Sequence, residues 1–293
     1  MNFVLRILTN QRSFILKQAR PWVEKYPQIE APIERAAIEA QILKQIEQLP
    51  AVSSYSPQCL GFDDQSYILY LEDLGEGADY TFIYRREEGL SSVEVEGLTT
   101  YLSQLHTMGP DVADKFPSNI KMRQLNHEHI FRFPYSMDNG FDLDPIQSGL
   151  QAAAFPYKND ERLKERIERL GEVYLSPGNA LLHGDYYPGS WLKVPNGIKV
   201  IDLEFGFVGP PEFDLGVFIA HAAMAALGKD IIHQIRSLYQ SPSDFSSDLL
   251  AGFAGTEILR RLIGIAQLPL DLSLEEKKDL MRLASSWITT GRF

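Results

Sequence analysis

Residues 181–204 read LLHGDYYPGSWLKVPNGIKVIDLE, two acidic motifs joined by the pattern of a β-hairpin. Pro195-Asn196-Gly197 is a turn signal between two β-rich segments, Trp191–Val194 and Ile198–Ile201. If these pair as antiparallel strands, Ser190 at the entry and Asp202 at the exit lie side by side. Asp185 sits just upstream in an irregular loop after His183-Gly184. Asp202 and Glu204, two apart on what reads as extended chain, are expected to point to one side. Three carboxylates and a hydroxyl would then converge, repel one another and raise each other's pKa, which calls for a hard cation among them. Magnesium with a bound nucleotide is the first candidate.

Upstream, Phe3–Ile7 and Ser13–Gln18 alternate as strands around a polar turn at Thr9 to Arg12. The second of them carries Lys17, an ammonium inside an apolar strand, which must snorkel to water or find an acidic partner. Pro32 to Leu49 has helical spacing at Ile38, Ile42, Ile46 and Leu49, with Pro32 suited to the first turn. Glu39 on that helix is the natural partner for Lys17. Tyr67–Leu71 reads as a strand running into the connector Glu72-Asp73-Leu74-Gly75, where a first, β-rich lobe of residues 1–74 is expected to stop.

Residues 75–293 read as mainly helical. Val95, Leu98, Leu102 and Leu105 form one apolar stripe, ended by Gly109-Pro110, and Leu163, Ile167, Leu170 and Tyr174 form another. Leu215 to Leu227 is apolar almost all round, as a buried helix is. Leu249 to Ala266 is a further helix carrying Arg260 and Arg261. With Glu257 placed for an i, i+4 pair, the arginines read either as a solvated face or as groups reaching a substrate. His127 and His129 flank Glu128 and would share a face on extended chain, yet no third metal ligand accompanies them. Asp214 reads as an N-cap or as a brace for the Asp185 loop.

Composition narrows the class. The 293 residues are 44% hydrophobic, enough for a substantial core, and the net charge of −11 argues against a nucleic-acid phosphate backbone as partner. Residues 1–50 carry 7 basic and 5 acidic side chains, so the acidic excess belongs to the later part and points to two lobes with different tasks. No run of eighteen apolar residues and no leader pattern is present, and Cys59 is the single cysteine. The expectation is therefore a cytoplasmic protein without a disulfide, a cysteine-rich zinc site or a membrane partner.

The motifs together resemble the aminoglycoside-phosphotransferase-like small-molecule kinases, and within them the methylthioribose kinase group. The resemblance rests on FILKQA at Phe14 to Ala19, Glu39, LEDL at Leu71 to Leu74, HGDYYPGS at His183 to Ser190, IDLEFGFVGPPEFDLG at Ile201 to Gly216, and ILRRLIGIA at Ile258 to Ala266. It implies an α+β, bilobal protein-kinase-like fold with a small β-rich N-lobe and a larger, mainly helical C-lobe. It also implies ATP and Mg2+, with Lys17 on the phosphates, Glu39 holding Lys17, and the backbone around Glu72 and Leu74 taking the adenine. By the same resemblance Asp185 is the catalytic base, Ser190, Asp202 and Glu204 hold magnesium, and Arg260 and Arg261 lie by a small hydroxylated substrate. A strand and a phosphate-covering loop would be expected ahead of Phe3, and Tyr186-Tyr187-Pro188 departs from the Leu-His-Thr pattern of the methylthioribose enzymes. Two other readings stand beside this one: a pseudokinase-like binding module, motivated by the missing loop, and an aminoglycoside phosphotransferase, whose acidic large lobe would attract a cationic substrate. Oligomeric state, a homodimer included, is left open.

Overall fold

The computed structural model describes residues 2–24, 26–108, 116 and 118–293. The N-terminal part is built on a four-stranded antiparallel sheet. Strands β1 (Phe3–Leu8) and β2 (Ser13–Gln18) form a hairpin, helped at the turn by Thr9, whose carbonyl partner is Arg12. A second, small hairpin follows, β3 (Trp22–Val23) and β4 (Tyr26–Glu30). Helix α1 (Arg35–Ile46) then buries Ile38, Ile42, Leu43 and Ile46 on the face that the apolar spacing marks. Pro32 stands before α1 instead of in its first turn, and a short helix α2 (Pro50–Ser53) takes over where α1 ends. Strands β5 (Cys59–Asp63) and β6 (Ile68–Glu72) complete the sheet in the order β1-β2-β6-β5. Lys17 faces Leu69 in the register, so it stands in the middle of the sheet.

Beyond Glu72 the chain is mainly helical, as in the small and large lobes of a protein-kinase-like fold. Strand β7 (Ala78–Asp79) already belongs with the later part of the chain, because it pairs with β9 of the central hairpin. Helix α3 (Ser92–Thr107) opens with a capping box between Ser91 and Glu94 and buries Val95, Leu98, Leu102 and Leu105. Its expected stop at Gly109-Pro110 lies outside the described residues. Helix α4 (Ile120–His127) runs into a π-helical turn at Glu128–Arg132. His127 and His129 are thus on a helix, not an extended chain, and the shared-face geometry expected for them does not form. Helices α5 (Leu150–Lys158) and α6 (Glu161–Leu175) follow.

The central hairpin is formed by β9 (Trp191–Val194) and β10 (Gly197–Val200), preceded by β8 (Ala180–Leu182) and followed by β11 (Phe207–Gly209), which pairs with β8. Helix α7 (Glu212–Met224) is buried nearly all round and packs against α9 (Ser247–Ile263), with α8 (Lys229–Leu238) between them in sequence and α10 (Leu274–Thr290) on the other side of α9. One apolar core runs from Ile38 and Leu69 through Leu98 and Trp191 to Ile258 and Ile288, so the lobes share it. Among the described residues no helix is long and apolar enough to cross a membrane.

Candidate active site

The hairpin delivers the neighbours that its sequence promises. Trp191 pairs with Val200, and the Ile201 amide donates to the Ser190 carbonyl at 2.9 Å, so the two ends of the hairpin meet. Asp202 comes immediately after this closure with φ 65° and ψ 49°, in the left-handed region that aspartate tolerates better than most residues. The chain then turns through a single 3-10 turn, Leu203–Phe205. That turn overturns the expectation of an extended Asp-Leu-Glu in which Asp202 and Glu204 point the same way.

Each expected metal ligand instead has its own partner. The Lys17 ammonium lies 2.7 Å from Glu39 Oε2 and 2.5 Å from Asp202 Oδ1. Lys17 and Glu39 are buried, whereas the Asp202 side chain keeps 42% of its surface open. Burial acts to lower the Lys17 pKa, but the charges of Asp202, Glu39 and Glu204 outweigh it and raise the value. Burial also drives Glu39 up, more than Lys17 can draw it down, whereas for Asp202 the attraction of Lys17 overcomes desolvation and lowers the value. Glu204 is buried and held by Arg35 Nε at 3.2 Å and Asn2 Nδ2 at 2.5 Å. Asn119 secures the same turn by donating to the Glu204 and Gly206 carbonyls at 3.1 and 3.0 Å. Ser190 is buried and its hydroxyl donates to the Asp185 carbonyl at 2.9 Å. Among the described residues no group of three or more His, Cys, Asp or Glu side chains is placed to hold a metal ion. The convergence of three carboxylates and a hydroxyl is therefore not what folds; a set of ion pairs around the hairpin exit does.

The Asp185 loop is braced from behind, in the second of the two roles expected for Asp214. Its buried carboxylate accepts the His183 amide at 2.6 Å and the Gly184 amide at 3.0 Å. The His183 Nδ1 accepts the Asp185 amide at 3.3 Å, which leaves Nε2 as the protonated nitrogen, donating to the Ile201 carbonyl at 2.8 Å. One imidazole thus ties the Asp185 loop to the residue before Asp202. Gly184 has φ +82°, and a Cβ there would come within 2.3 Å of the Phe205 carbonyl oxygen, so glycine is what lets the two loops touch.

Arg260 and Arg261 are buried, not on a solvated face. Their Nη2 atoms lie 3.5 and 3.6 Å from Asp185 Oδ1. Glu257 takes the Nε of both, Arg261 at 2.8 Å, and the Arg261 guanidinium stands over the Tyr187 ring at 4.8 Å. Burial pushes the Asp185 carboxyl above its ordinary value, and the two guanidiniums offset only part of that. Asp185, Arg260 and Arg261 line a cavity of about 160 Å³ together with Asn126, His129 and an apolar wall that includes Val23, Ile29 and Ile265. A second cavity, about 240 Å³, is lined by Ile15, Leu71, Leu192 and Ile201, with Lys17 and Asp202 in it and Glu72 to Gly75 along one side. Sequence reasoning missed Asn2, Arg35, Asn119 and the wall residues Val23 and Ile29, since their partners are remote in sequence; Glu257 was visible only as a helical pair.

The phosphotransferase enzyme family matches residues 3–247. The methylthioribose kinase of Exiguobacterium sibiricum is 28% identical over 98% of this chain and 85% of its own length, and that of Erwinia tasmaniensis is 26% identical over 100% and 85%. Among solved structures, a spectinomycin phosphotransferase with ADP and spectinomycin superposes with a TM-score of 0.54 at 13% identity, covering 99% of this chain and 89% of that one. The choline kinase of Streptococcus pneumoniae gives a TM-score of 0.51 at 14% identity over 97% and 89%. At such identities these two structures speak for the bilobal fold.

Proposed function

Because this chain belongs to the phosphotransferase enzyme family and is a small-molecule kinase, we propose that it moves the γ-phosphate of ATP to a hydroxyl of a small metabolite, methylthioribose or a related sugar first. The observation that carries the proposal is the meeting of two cavities at one pair of loops. Lys17 and Asp202 stand in the larger, apolar cavity, Asp185 stands in the smaller one beside Arg260 and Arg261, and His183 ties the two loops together. Residues 1–74 act as the nucleotide lobe and residues 75–293 as the catalytic lobe of a cytoplasmic enzyme.

In this reading the adenine lies between Ile15 and Leu71 on one side and Leu192 and Ile201 on the other, along the backbone from Glu72 to Leu74. Lys17, fixed by Glu39, takes the phosphates. Asp202 is the one expected ligand with open carboxylate surface, which suits a magnesium ion that takes one or two carboxylates and gets further ligands from phosphates and water. Glu204 and Ser190 serve that position from behind, by fixing the turn and the loop on either side of it. Magnesium, when bound, neutralises phosphate charge. Asp185 orients the acceptor hydroxyl and takes its proton as the oxygen bonds to the γ-phosphorus and ADP departs with the bridging oxygen. Arg260 and Arg261 face the transferring phosphoryl group and the acceptor.

The test is a purified-protein assay with ATP, magnesium and a panel of methylthioribose, homoserine, choline and aminoglycosides. Turnover of a hydroxylated acceptor is expected, reduced by about 1,000-fold or more in Asp185→Asn. No turnover of any acceptor, with nucleotide binding absent and the fold intact, would favour a binding module instead.

A further inference from the structure

Behind the arginines runs a buried polar chain with no part in the steps above. Tyr84 ends the 3-10 turn Tyr80–Tyr84, His221 lies on α7 and Glu257 on α9, and all three side chains are buried. The Tyr84 hydroxyl is 2.6 Å from His221 Nδ1, and His221 Nε2 is 3.0 Å from Glu257 Oε1. Desolvation holds the imidazole neutral, with a pKa lowered to about 4. Burial works to raise the Glu257 pKa, but Arg260 and Arg261 overcome it and keep the carboxylate ionised, so Glu257 only accepts. The hydrogen must then sit on His221 Nε2, and Nδ1 must accept from the tyrosine. Every bond in the chain has one direction.

Glu257 spends one oxygen on each arginine Nε, so both guanidiniums are pinned at their Nε atoms. Their Nη2 atoms lie toward Asp185 at distances too long for hydrogen bonds. Their donors remain available for an anion arriving beside Asp185. The charges also match: Glu257 neutralises one arginine and ionised Asp185 the other. Proton transfer to Asp185 would leave one positive charge unbalanced when phosphoryl oxygens are adjacent.

We propose that Glu257 is a positioning residue of this kinase, anchored by Tyr84 and His221, and that it aims Arg260 and Arg261 at the transferring phosphoryl group. The inference rests on the assignment of those two arginines to that group. Its effect is expected mainly in kcat, because the aimed donors meet the anion most strongly in the transition state.

Steady-state kinetics and thermal melting of a variant series decide it. Glu257→Gln should lower kcat about 100-fold, with acceptor KM altered much less. His221→Leu, which removes the N–H toward Glu257, should lower kcat about tenfold, and His221→Gln, which keeps a donor, should recover most of the loss. Tm should not track this order. Equal kcat losses in the two His221 variants, in step with Tm, would overturn the positioning role, and the His221 pair decides alone if Glu257→Gln fails to fold. Arg260→Gln and Arg261→Gln separate the underlying assignment: full kcat in both would remove that assignment itself. Large losses in the arginine variants with normal kcat in Glu257→Gln and His221→Leu would remove only the inference drawn from it.

Discussion

Lys17 is one ammonium shared by two carboxylates, Glu39 and Asp202. Removing it leaves Glu39 buried without a cation, which is costlier than losing a surface pair. Lys17→Met is therefore expected to destabilise the protein by about 3–5 kcal/mol in urea unfolding, besides weakening nucleotide binding. Lys17→Met combined with Glu39→Leu should recover part of that stability but none of the binding, because the apolar pair leaves no buried charge behind. Asp185 makes a pH prediction. Its carboxyl is raised chiefly by desolvation and drawn down by Arg261 and Arg260. With Asp185 as the proposed base acting as a carboxylate, kcat/KM is expected to fall as pH drops through that raised value. Arg261→Gln removes a cation that lowers it, so the acid limb of kcat/KM should move to higher pH in the residual activity; a limb that moves down or stays fixed would contradict the assignment.

Among the elements, the hairpin β9-β10 was the most readable, because Pro195-Asn196-Gly197 and the flanking β-branched residues are local signals and the register follows from them. The strands β1, β2 and β6, the helix α1 with Glu39, and the apolar helix α7 were legible for the same reason: periodicity reports which face is buried. What followed the hairpin was not legible. The left-handed Asp202 depends on contacts made by Asn2, Arg35 and Asn119, which lie 202, 169 and 85 residues away from Glu204 in sequence or hold the turn from another lobe. No window of sequence carries that information. Likewise Glu257 and Arg261 show the spacing of an ordinary exposed pair, and only the packing of α9 between α7 and α10 makes it a buried one. The contact between the loops gives an element-scale prediction: Gly184→Ala forces a side chain against the Phe205 carbonyl at a positive φ, and should lower stability by at least about 2 kcal/mol while displacing Asp185. Melting and activity measured together check it; a variant with unchanged Tm and unchanged kcat would show that the loops do not need to meet.

For the whole molecule, the net charge of −11 attracts cations at long range, whereas the cavity proposed for the acceptor presents two arginines beside Asp185. A cationic acceptor is drawn to the surface at long range but meets two arginines where it must bind. Choline and aminoglycosides are accordingly expected to be phosphorylated with kcat/KM about 100-fold or more below that of an uncharged sugar. An aminoglycoside preferred over every neutral acceptor would reverse this reading. Arg35 and Glu39 stand one helical turn apart on α1, the first fastened to Glu204 and the second to Lys17. A single rung of helix therefore rivets the lysine-bearing sheet and the aspartate-bearing turn at once. Parting residues 1–74 from the hairpin exit would have to release Arg35 from Glu204 and Lys17 from Asp202 together, whereas the Lys17–Glu39 pair lies within residues 1–74 and would survive the separation.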